Sequence, residues 1–205
     1  MFERAGRKKV RGARCAVDNE TMCIQRNLRA LCAGGLLAWL LVACSPALNW
    51  RNVPLEGAAL TAALPCKPDR AVRAVDLGGV KADLAMVGCE ADGALFAVSN
   101  FALPDPAQAG SMLLHWRTAV LARLGTGVQI SAQQPFVPAG ALSLPGAVRI
   151  IALGQRPEGG AVTLQAVWFA RVQGTQVRLY HAALYTDRPR PELADRFFEG
   201  LKLEP

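Results

Sequence analysis

The stretch Ala161-Val-Thr-Leu-Gln-Ala-Val-Trp-Phe-Ala-Arg-Val172 carries the strongest strand signal in the chain. Its apolar residues recur at every second position, and successive side chains of a strand point to opposite faces of a sheet. We therefore predict a β-strand with a buried face over this stretch. The residues on that face are Val162, Leu164, Ala166, Trp168, Ala170 and Val172.

One further strand is predicted on each side of this one. Val148–Gly154 precedes it across a Pro- and Gly-containing turn, and Gln176–Thr186 follows it across Gln173-Gly-Thr175. Short turns of this composition join neighbouring antiparallel strands. The sequence thus predicts three consecutive antiparallel strands in this half of the chain.

The region before residue 102 predicts four more strands. Turn signals such as Gly78-Gly79 and Ala91-Asp-Gly93 separate apolar stretches of strand length. A loop is predicted over Gln134–Gly146, which contains prolines and glycines. The predicted strands are Leu60–Leu64, Ala71–Leu77, Lys81–Cys89 and Leu95–Phe101.

Two helices are predicted to pack on the strands. The first opens at Asp105-Pro106, because a carboxylate can cap free amides and proline fits the first helical position. It is expected to end at Gly125, and Asp187 is expected to cap the second helix. Apolar spacings of three and four residues mark the buried faces, which contain Leu113, Trp116, Val120 and Leu124 in the first helix and Leu193, Phe197 and Leu201 in the second.

These elements predict an α+β fold. We expect a mostly antiparallel sheet of six to seven strands with two main helices packed on it. A hydrophobic signal or anchor helix is expected to precede this domain.

The expected signal helix is an uncharged apolar run, Leu31–Ala43, that follows a basic flank. Positive charge, about 7–15 apolar residues and a small residue at the cleavage point are typical of a secretory signal. The ending Leu41-Val-Ala-Cys44 resembles the lipobox of bacterial lipoproteins. The resemblance implies a diacylglyceryl group on the Cys44 thiol and cleavage before that residue. An uncleaved inner-membrane anchor is the alternative, because Ala30 to Trp50 contains no charge.

Both interpretations place the later domain in the periplasm, because the Lys and Arg excess before the apolar run stays in the cytoplasm. Ser45 is not the Asp that retains enterobacterial lipoproteins at the inner membrane, so the resemblance favours the outer membrane. We expect a leader and signal peptide over 1–43, a tether over 44–57 and a single domain over 58–205. A signal would be complete from Met22, which we expect to be the true start.

The formal net charge of +7 belongs mainly to the leader. Residues 1–29 contain eight Lys and Arg against three Asp and Glu, whereas the rest of the chain contains fifteen against thirteen. A basic domain would favour a nucleic-acid partner, but the excess here lies outside the domain. We expect the membrane, through the lipid anchor, and an unknown envelope protein as partners, and no nucleic acid.

Cys66 and Cys89 are the two cysteines that follow Cys44. An even pair in a domain bound for an oxidising compartment predicts a disulfide. A redox-active pair is the alternative, but such pairs are commonly only two residues apart. We therefore predict a structural bond between Cys66 and Cys89.

Trp116 and His181 are the candidates for a ligand pocket. Trp116 lies on the predicted inner face of the first helix, and His181 lies on the apolar face of the strand Gln176–Thr186. A histidine in this position can be a base or a ligand, although it is more often a core residue. No nucleophile motif or metal-ligand spacing accompanies it. The sequence therefore predicts no catalytic residue, no metal and no cofactor.

A second candidate surface lies on the strand faces opposite Trp168. Apolar residues there form either a patch for a partner or ligand, or a surface that a helix covers. We prefer the covered interpretation, because a layered fold requires it. The residues are Val167, Phe169, Tyr180 and Leu184.

The element order and the phrase Leu64-Pro-Cys-Lys-Pro68 resemble uncharacterised proteobacterial lipoproteins with a PsbP-like domain. That resemblance spans roughly residues 60–203 and implies a non-enzymatic accessory role. We expect a lipid-anchored periplasmic accessory or interaction module. The alternatives are a small-ligand-binding lipoprotein and a hydrolase whose site carries no recognisable motif.

Overall fold

The computed structural model of this protein describes residues 47–204. Residues 1–46 and Pro205 lie outside the described part, and with them the predicted signal helix and Cys44. The strands are β1 (Arg51–Leu55), β2 (Leu60–Leu64), β3 (Asp69–Leu77), β4 (Val80–Ala91), β5 (Ala94–Leu103), β6 (Gln129–Pro135), β7 (Val148–Gln155), β8 (Ala161–Gln173), β9 (Gln176–Thr186) and β10 (Leu201–Leu203). The helices are α1 (Ala109–Ala122), preceded by a 3₁₀ turn (Pro106–Gln108), and α2 (Pro191–Glu199).

The strands form two antiparallel sheets. The main sheet has seven strands in the order β3-β4-β5-β9-β8-β7-β6, and the small sheet has the order β1-β2-β10. The predicted α+β class, with a mostly antiparallel sheet and two helices, is confirmed. The small sheet is an additional layer that the sequence did not predict.

The two strands with the strongest sequence signal lie at the centre of the main sheet. In the β8–β9 pair, Trp168 lies opposite His181 and Phe169 lies opposite Tyr180. Residues 162–170 of β8 are all buried, so the strand is covered on both faces. The alternating face predicted for β8 is therefore only one of two apolar faces.

The main sheet separates two hydrophobic cores. One core lies between the sheet and α1, and the other lies between the sheet, α2 and the small sheet. Burial of large apolar side chains on both sides stabilises this arrangement, at roughly 1.5–3 kcal/mol for each fully buried side chain. Large members are Phe101, Leu113, Trp116 and Trp168 in the α1 core, and Phe96, Phe169, Tyr180 and Phe197 in the α2 core.

The apolar face opposite Trp168 is covered, as the preferred interpretation expected. Val167, Phe169, Tyr180 and Leu184 are all buried in the α2 core, and the idea of a partner patch there is wrong. The Tyr180 hydroxyl donates a hydrogen bond to the Ala58 carbonyl of the small sheet's turn. Burial raises the pKa of Tyr180 to about 12, although Arg178 and Arg171 oppose the shift.

The predicted tether over 44–57 is corrected by the structure, because Arg51–Leu55 forms β1. Trp50 also packs edge-on against Phe96, at 5.9 Å between ring centroids, so the domain extends before the predicted boundary at 58. Proline cannot donate a backbone hydrogen bond, but Pro54 is tolerated because β1 is an edge strand. Its carbonyl accepts a hydrogen bond from Arg70.

Besides β1, two other strands were not predicted from the sequence. β6 ends at Pro135, inside the loop predicted to begin at Gln134, and its seven residues are all exposed, so no apolar alternation marks it. β10 contains Leu201, which we had predicted on the buried face of the second helix. That helix ends at Glu199, and Leu201 reaches the α2 core from a strand that pairs with β2.

The predicted cap of the second helix is also wrong. The residue before α2 is Arg190, which makes no side-chain capping bond. Asp187 instead forms an ion pair with Arg156, at 2.8 Å between Oδ1 and Nη1. The helix starts at Pro191 because proline fits its first turn.

Cys66 and Cys89 form a disulfide in the structure, with 2.01 Å between the sulfur atoms and 6.0 Å between the Cα atoms. Cys66 follows β2 of the small sheet, and Cys89 lies on β4 of the main sheet. The bond therefore joins the two sheets. It also lies beside the open region of β4 and β5 described below.

Candidate functional site

The predicted ligand pocket around Trp116 and His181 is closed. The structure brings the two residues together, with 5.4 Å between their ring centroids. Trp168 stacks on the imidazole, with its ring centroid at 4.6 Å. Trp116 is only 3% exposed and His181 only 6%. The three rings form a packed cluster, which we call the His181 cluster, rather than the wall of a cavity.

Burial determines the chemistry of His181. Its Nε2 atom has no hydrogen-bond partner among the residues that the structure describes. Desolvation lowers the pKa of His181 to about 3, because no nearby group compensates the charged imidazolium. The side chain is therefore neutral at physiological pH and out of reach of a substrate. This geometry assigns His181 to the core.

An open region lies on the same face of the main sheet, beyond the end of α1. It is a groove of about 780 Å³ between the β4–β5 turn, the β7–β8 turn and the residues that follow α1. We call it the Tyr185 groove. Leu95 and Tyr185 lie opposite each other on β5 and β9 in its floor.

The groove is open because α1 ends before it reaches this corner of the sheet. After Ala122 the chain turns, and the Leu124 carbonyl accepts a hydrogen bond from the backbone of Gln155 at 2.8 Å. The close approach requires a glycine at 154, since a Cβ there would lie 2.6 Å from the Leu124 carbonyl oxygen. The contact between Gly154 and Leu124 thus fixes where α1 stops covering the sheet.

A second groove of about 720 Å³ continues towards the β3 edge of the sheet. We call it the edge groove. Glu90 and Leu95 line both grooves, so the two meet along the β4–β5 hairpin. Its floor contains Met86 and Ala97, and Cys89 of the disulfide lies beside it.

The rim of the Tyr185 groove carries paired and unpaired charges. Arg156 pairs with Asp187, and Arg190 pairs with Asp92 and also donates to the Asp92 carbonyl. Two exposed carboxylates, Glu90 and Glu158, have no ion-pair partner among residues 47–204. Arg123 also lines the groove without an ion pair to any residue of 47–204, so the groove offers two free carboxylates and one free guanidinium above an apolar floor.

Tyr185 is the titratable group in the floor of the groove. Burial raises the pKa of its phenol, and the nearby Arg123 guanidinium only partly opposes that shift. The hydroxyl is therefore protonated at physiological pH and can donate a hydrogen bond. Such a site can bind and orient a ligand or a chain segment.

The described part of the chain contains neither a metal-ligand cluster nor a membrane-spanning helix. No group of three or more His, Cys, Asp or Glu residues within 47–204 could hold a metal ion. No helix in this same range is long and apolar enough to cross a membrane. The predicted lipidation site, Cys44, lies outside these residues.

Nothing in the sequence indicated that the residues of the open groove form a site. Tyr185 follows the same alternation as His181 on β9, and Leu95 begins a predicted strand, so both were assigned to secondary structure without a role. The distinguishing fact is the length and placement of α1. Only the spacing of Leu124 from Gly154 in three dimensions reveals it.

Comparisons with known proteins identify no family for this chain. No family model matches it, and no curated protein is similar enough to match. Among solved structures it is similar to a protein of unknown function from Pseudomonas aeruginosa, PA94. The identity is 18% and the TM-score 0.35, over 72% of this chain and 91% of that one. A likeness of this degree supports no conclusion about function.

Proposed function

We propose that this protein is a lipid-anchored component of the bacterial cell envelope whose domain is a non-enzymatic accessory or interaction module in the periplasm. Cys44 carries the lipid, preferentially at the outer membrane, as the lipobox resemblance implies. The Tyr185 groove and the edge groove receive an extended segment of another envelope protein. The resemblance to PsbP-like lipoproteins points to the same kind of role.

The observation that carries this proposal is the contrast between a closed helix–sheet interface at His181 and an open sheet face at Leu95. Leu95 is 38% exposed although it lies on the same face of the sheet as the buried core. Exposed apolar positions that continue into a groove are typical of interaction surfaces. The Cys66–Cys89 disulfide supports an oxidising compartment, since such bonds are rare in cytosolic proteins.

An extended protein segment suits the open face because the two grooves continue into each other past Glu90 and Leu95. Its apolar side chains would lie on Leu95 and the Tyr185 ring, and the Tyr185 hydroxyl would donate to a backbone carbonyl. A basic side chain of the segment would pair with Glu90. The proposed partner is therefore a segment of mixed apolar and basic character.

The lipid anchor is tested by feeding cells an alkyne-tagged palmitate and comparing the full chain with Cys44→Ser. We expect the label and the processed size in the unmodified chain, and the loss of both in the variant. A signal-anchored protein would show an unlabelled chain of the same size in both cases. That result would remove the lipoprotein interpretation.

The interaction surface is tested with a photo-crosslinking amino acid at Leu95 in intact cells. The matched control is the same amino acid at Leu114, which is similarly exposed but lies on α1. We expect a defined adduct with an envelope protein at Leu95 and none at Leu114. Adding Glu90→Lys should reduce the adduct several-fold. Equal adducts at both positions, or no adduct at Leu95, would contradict the assignment.

Small-ligand binding is the second candidate, and the Tyr185 groove, not the His181 cluster, is the site that favours it. Its volume of about 780 Å³ lies within the range of small-molecule sites. Polar groups of Arg123, Tyr185 and Asp187 surround it. Native mass spectrometry of the full chain from its own cells tests this: a retained small molecule, lost in Leu95→Trp, would replace the protein segment as the occupant.

A further inference from the structure

The two edge strands of the main sheet differ in how they are protected from pairing with other strands. β6 is interrupted by a bulge between Ile130 and Ala132 and ends at Pro135. Bulges and prolines prevent an edge from adding a further strand. β3 pairs with β4 along all nine residues, Asp69–Leu77, without a register shift and contains no proline. Within residues 47–204 no strand pairs with its outer side.

We propose that β3 pairs antiparallel with β3 of a second copy of this chain, which joins two main sheets into one. A symmetric pairing that uses the whole strand from 69 to 77 has Arg73 at its midpoint. In that register Arg70 lies opposite Asp76 of the second copy, and this match occurs twice. Full-length overlap and charge complementarity therefore select the same register. The proposal does not depend on the lipid anchor.

One face of this interface would carry the charge complementarity. Asp76 already lies beside Lys81 of β4, so Arg70 of the second copy would give a row of alternating charges. Between these rows, Val72 would lie opposite Ala74 of the second copy. Val72 is 68% exposed, the most exposed large apolar side chain described. Directly opposed charges of unlike sign and apolar pairs both stabilise antiparallel strands.

The other face of the interface would be mainly apolar. Ala71 would lie opposite Val75 of the second copy, and β4 continues these rows with Met86 and Ala82. The two edge grooves would then become neighbours across the pairing. Arg73 would face Arg73 of the second copy at the midpoint, and this is the only like-charged pair in the register.

Cysteine crosslinking of the full chain in detergent tests this register. In Arg73→Cys the two new cysteines would lie directly opposite, within the Cα range of a disulfide. In Ala71→Cys or Val75→Cys each cysteine would be roughly 14 Å from its equivalent, too far to bond. We expect a disulfide-linked dimer of Arg73→Cys at roughly tenfold the yield of either control. No dimer, or equal yields at the three positions, would overturn the proposal.

Charge exchange in the Arg73→Cys background provides the second test. Arg70→Glu alone would place two carboxylates together at the pair with Asp76, and Asp76→Arg alone would place two guanidinium groups together, so each should lose most of its crosslinking. A mixture of the two variants restores opposite charges in both pairs, and a crosslinked heterodimer should reappear. Arg70 also donates to the Pro54 carbonyl and Asp76 accepts from Gly79, at 3.1 and 2.7 Å. If the mixture gives no heterodimer, the loss in the single variants is structural and the proposal is wrong.

Discussion

The His181 cluster and the Tyr185 groove lie on the same face of the main sheet, four residues apart on β9, which is about 13 Å. Beneath α1, three aromatic rings pack together and exclude solvent. Beyond the end of α1, an equivalent part of the sheet is open to solvent. Helix length, and not strand composition, therefore decides which part of this face is left open to solvent.

The largest expected effect separates the two regions by stability. Trp116→Ala leaves a cavity against His181 and Phe101, and we expect a loss of roughly 3–5 kcal/mol in the free energy of unfolding. Leu95→Ala in the groove should cost no more than about 1 kcal/mol, because Leu95 is already partly exposed. Urea denaturation of both variants gives the two values. Similar losses would show that the groove is part of the core.

Removal of the disulfide tests whether the stability of the strands beside the edge groove depends on a covalent constraint. Replacing Cys66 and Cys89 together by Ser opens a loop of 23 residues and should cost about 3 kcal/mol. Hydrogen exchange should increase first in β2 and the end of β4, beside the edge groove. Amides around the His181 cluster should still exchange only through global unfolding of the domain. Uniform loss of protection would contradict this division of the domain.

The pH dependence of the free energy of unfolding tests the burial of His181. Its pKa is about 3 in the folded state and about 6.5 in the unfolded chain, so the unfolded chain binds the extra proton below pH 6.5. Stability is therefore lost as the pH falls from 6.5 towards 3. Between pH 7.5 and 5.5 the unmodified chain should lose about 1.4 kcal/mol more than His181→Phe. Identical pH profiles would mean that the imidazole is solvated.

The smallest expected effect concerns the phenol in the groove. Tyr185→Phe keeps the ring and removes the hydroxyl, so the free energy of unfolding should change by no more than about 0.5 kcal/mol. The adduct formed from Leu95 in cells should nevertheless decrease, since the hydrogen bond to the partner is lost. Thermal unfolding and the crosslinking yield are measured on the same variant. A large loss of stability would mean that the hydroxyl already bonds within the domain and is not available to a partner.

Six of the seven strands of the main sheet and the two helices could be predicted, because alternation and helical spacing are local properties, whereas the exposed strand β6 shows no alternation. β8 and β9 alternate apolar residues, and α1 repeats them every three or four positions. The small sheet could not be predicted in the same way. β1 contains Pro54, and β10 has only three residues, so both depend on pairing with β2 rather than on their own pattern.

The candidate site, too, could be predicted from the sequence only where local patterns determine it. Sequence patterns correctly placed Trp116 and His181 on facing surfaces, but not the close packing that leaves no cavity between them. The Tyr185 groove begins where Leu124 packs against Gly154, because α1 no longer covers the sheet beyond that contact. That contact joins residues thirty positions apart, so no local pattern reports it.

The most direct test of the proposed function is the intact mass of the chain extracted from membranes. We expect a polypeptide that begins at Cys44, carries a diacylglyceryl group on that residue, and has lost two hydrogens through the Cys66–Cys89 bond. A chain that retains residues before Cys44, with no lipid and both thiols free, would contradict this expectation.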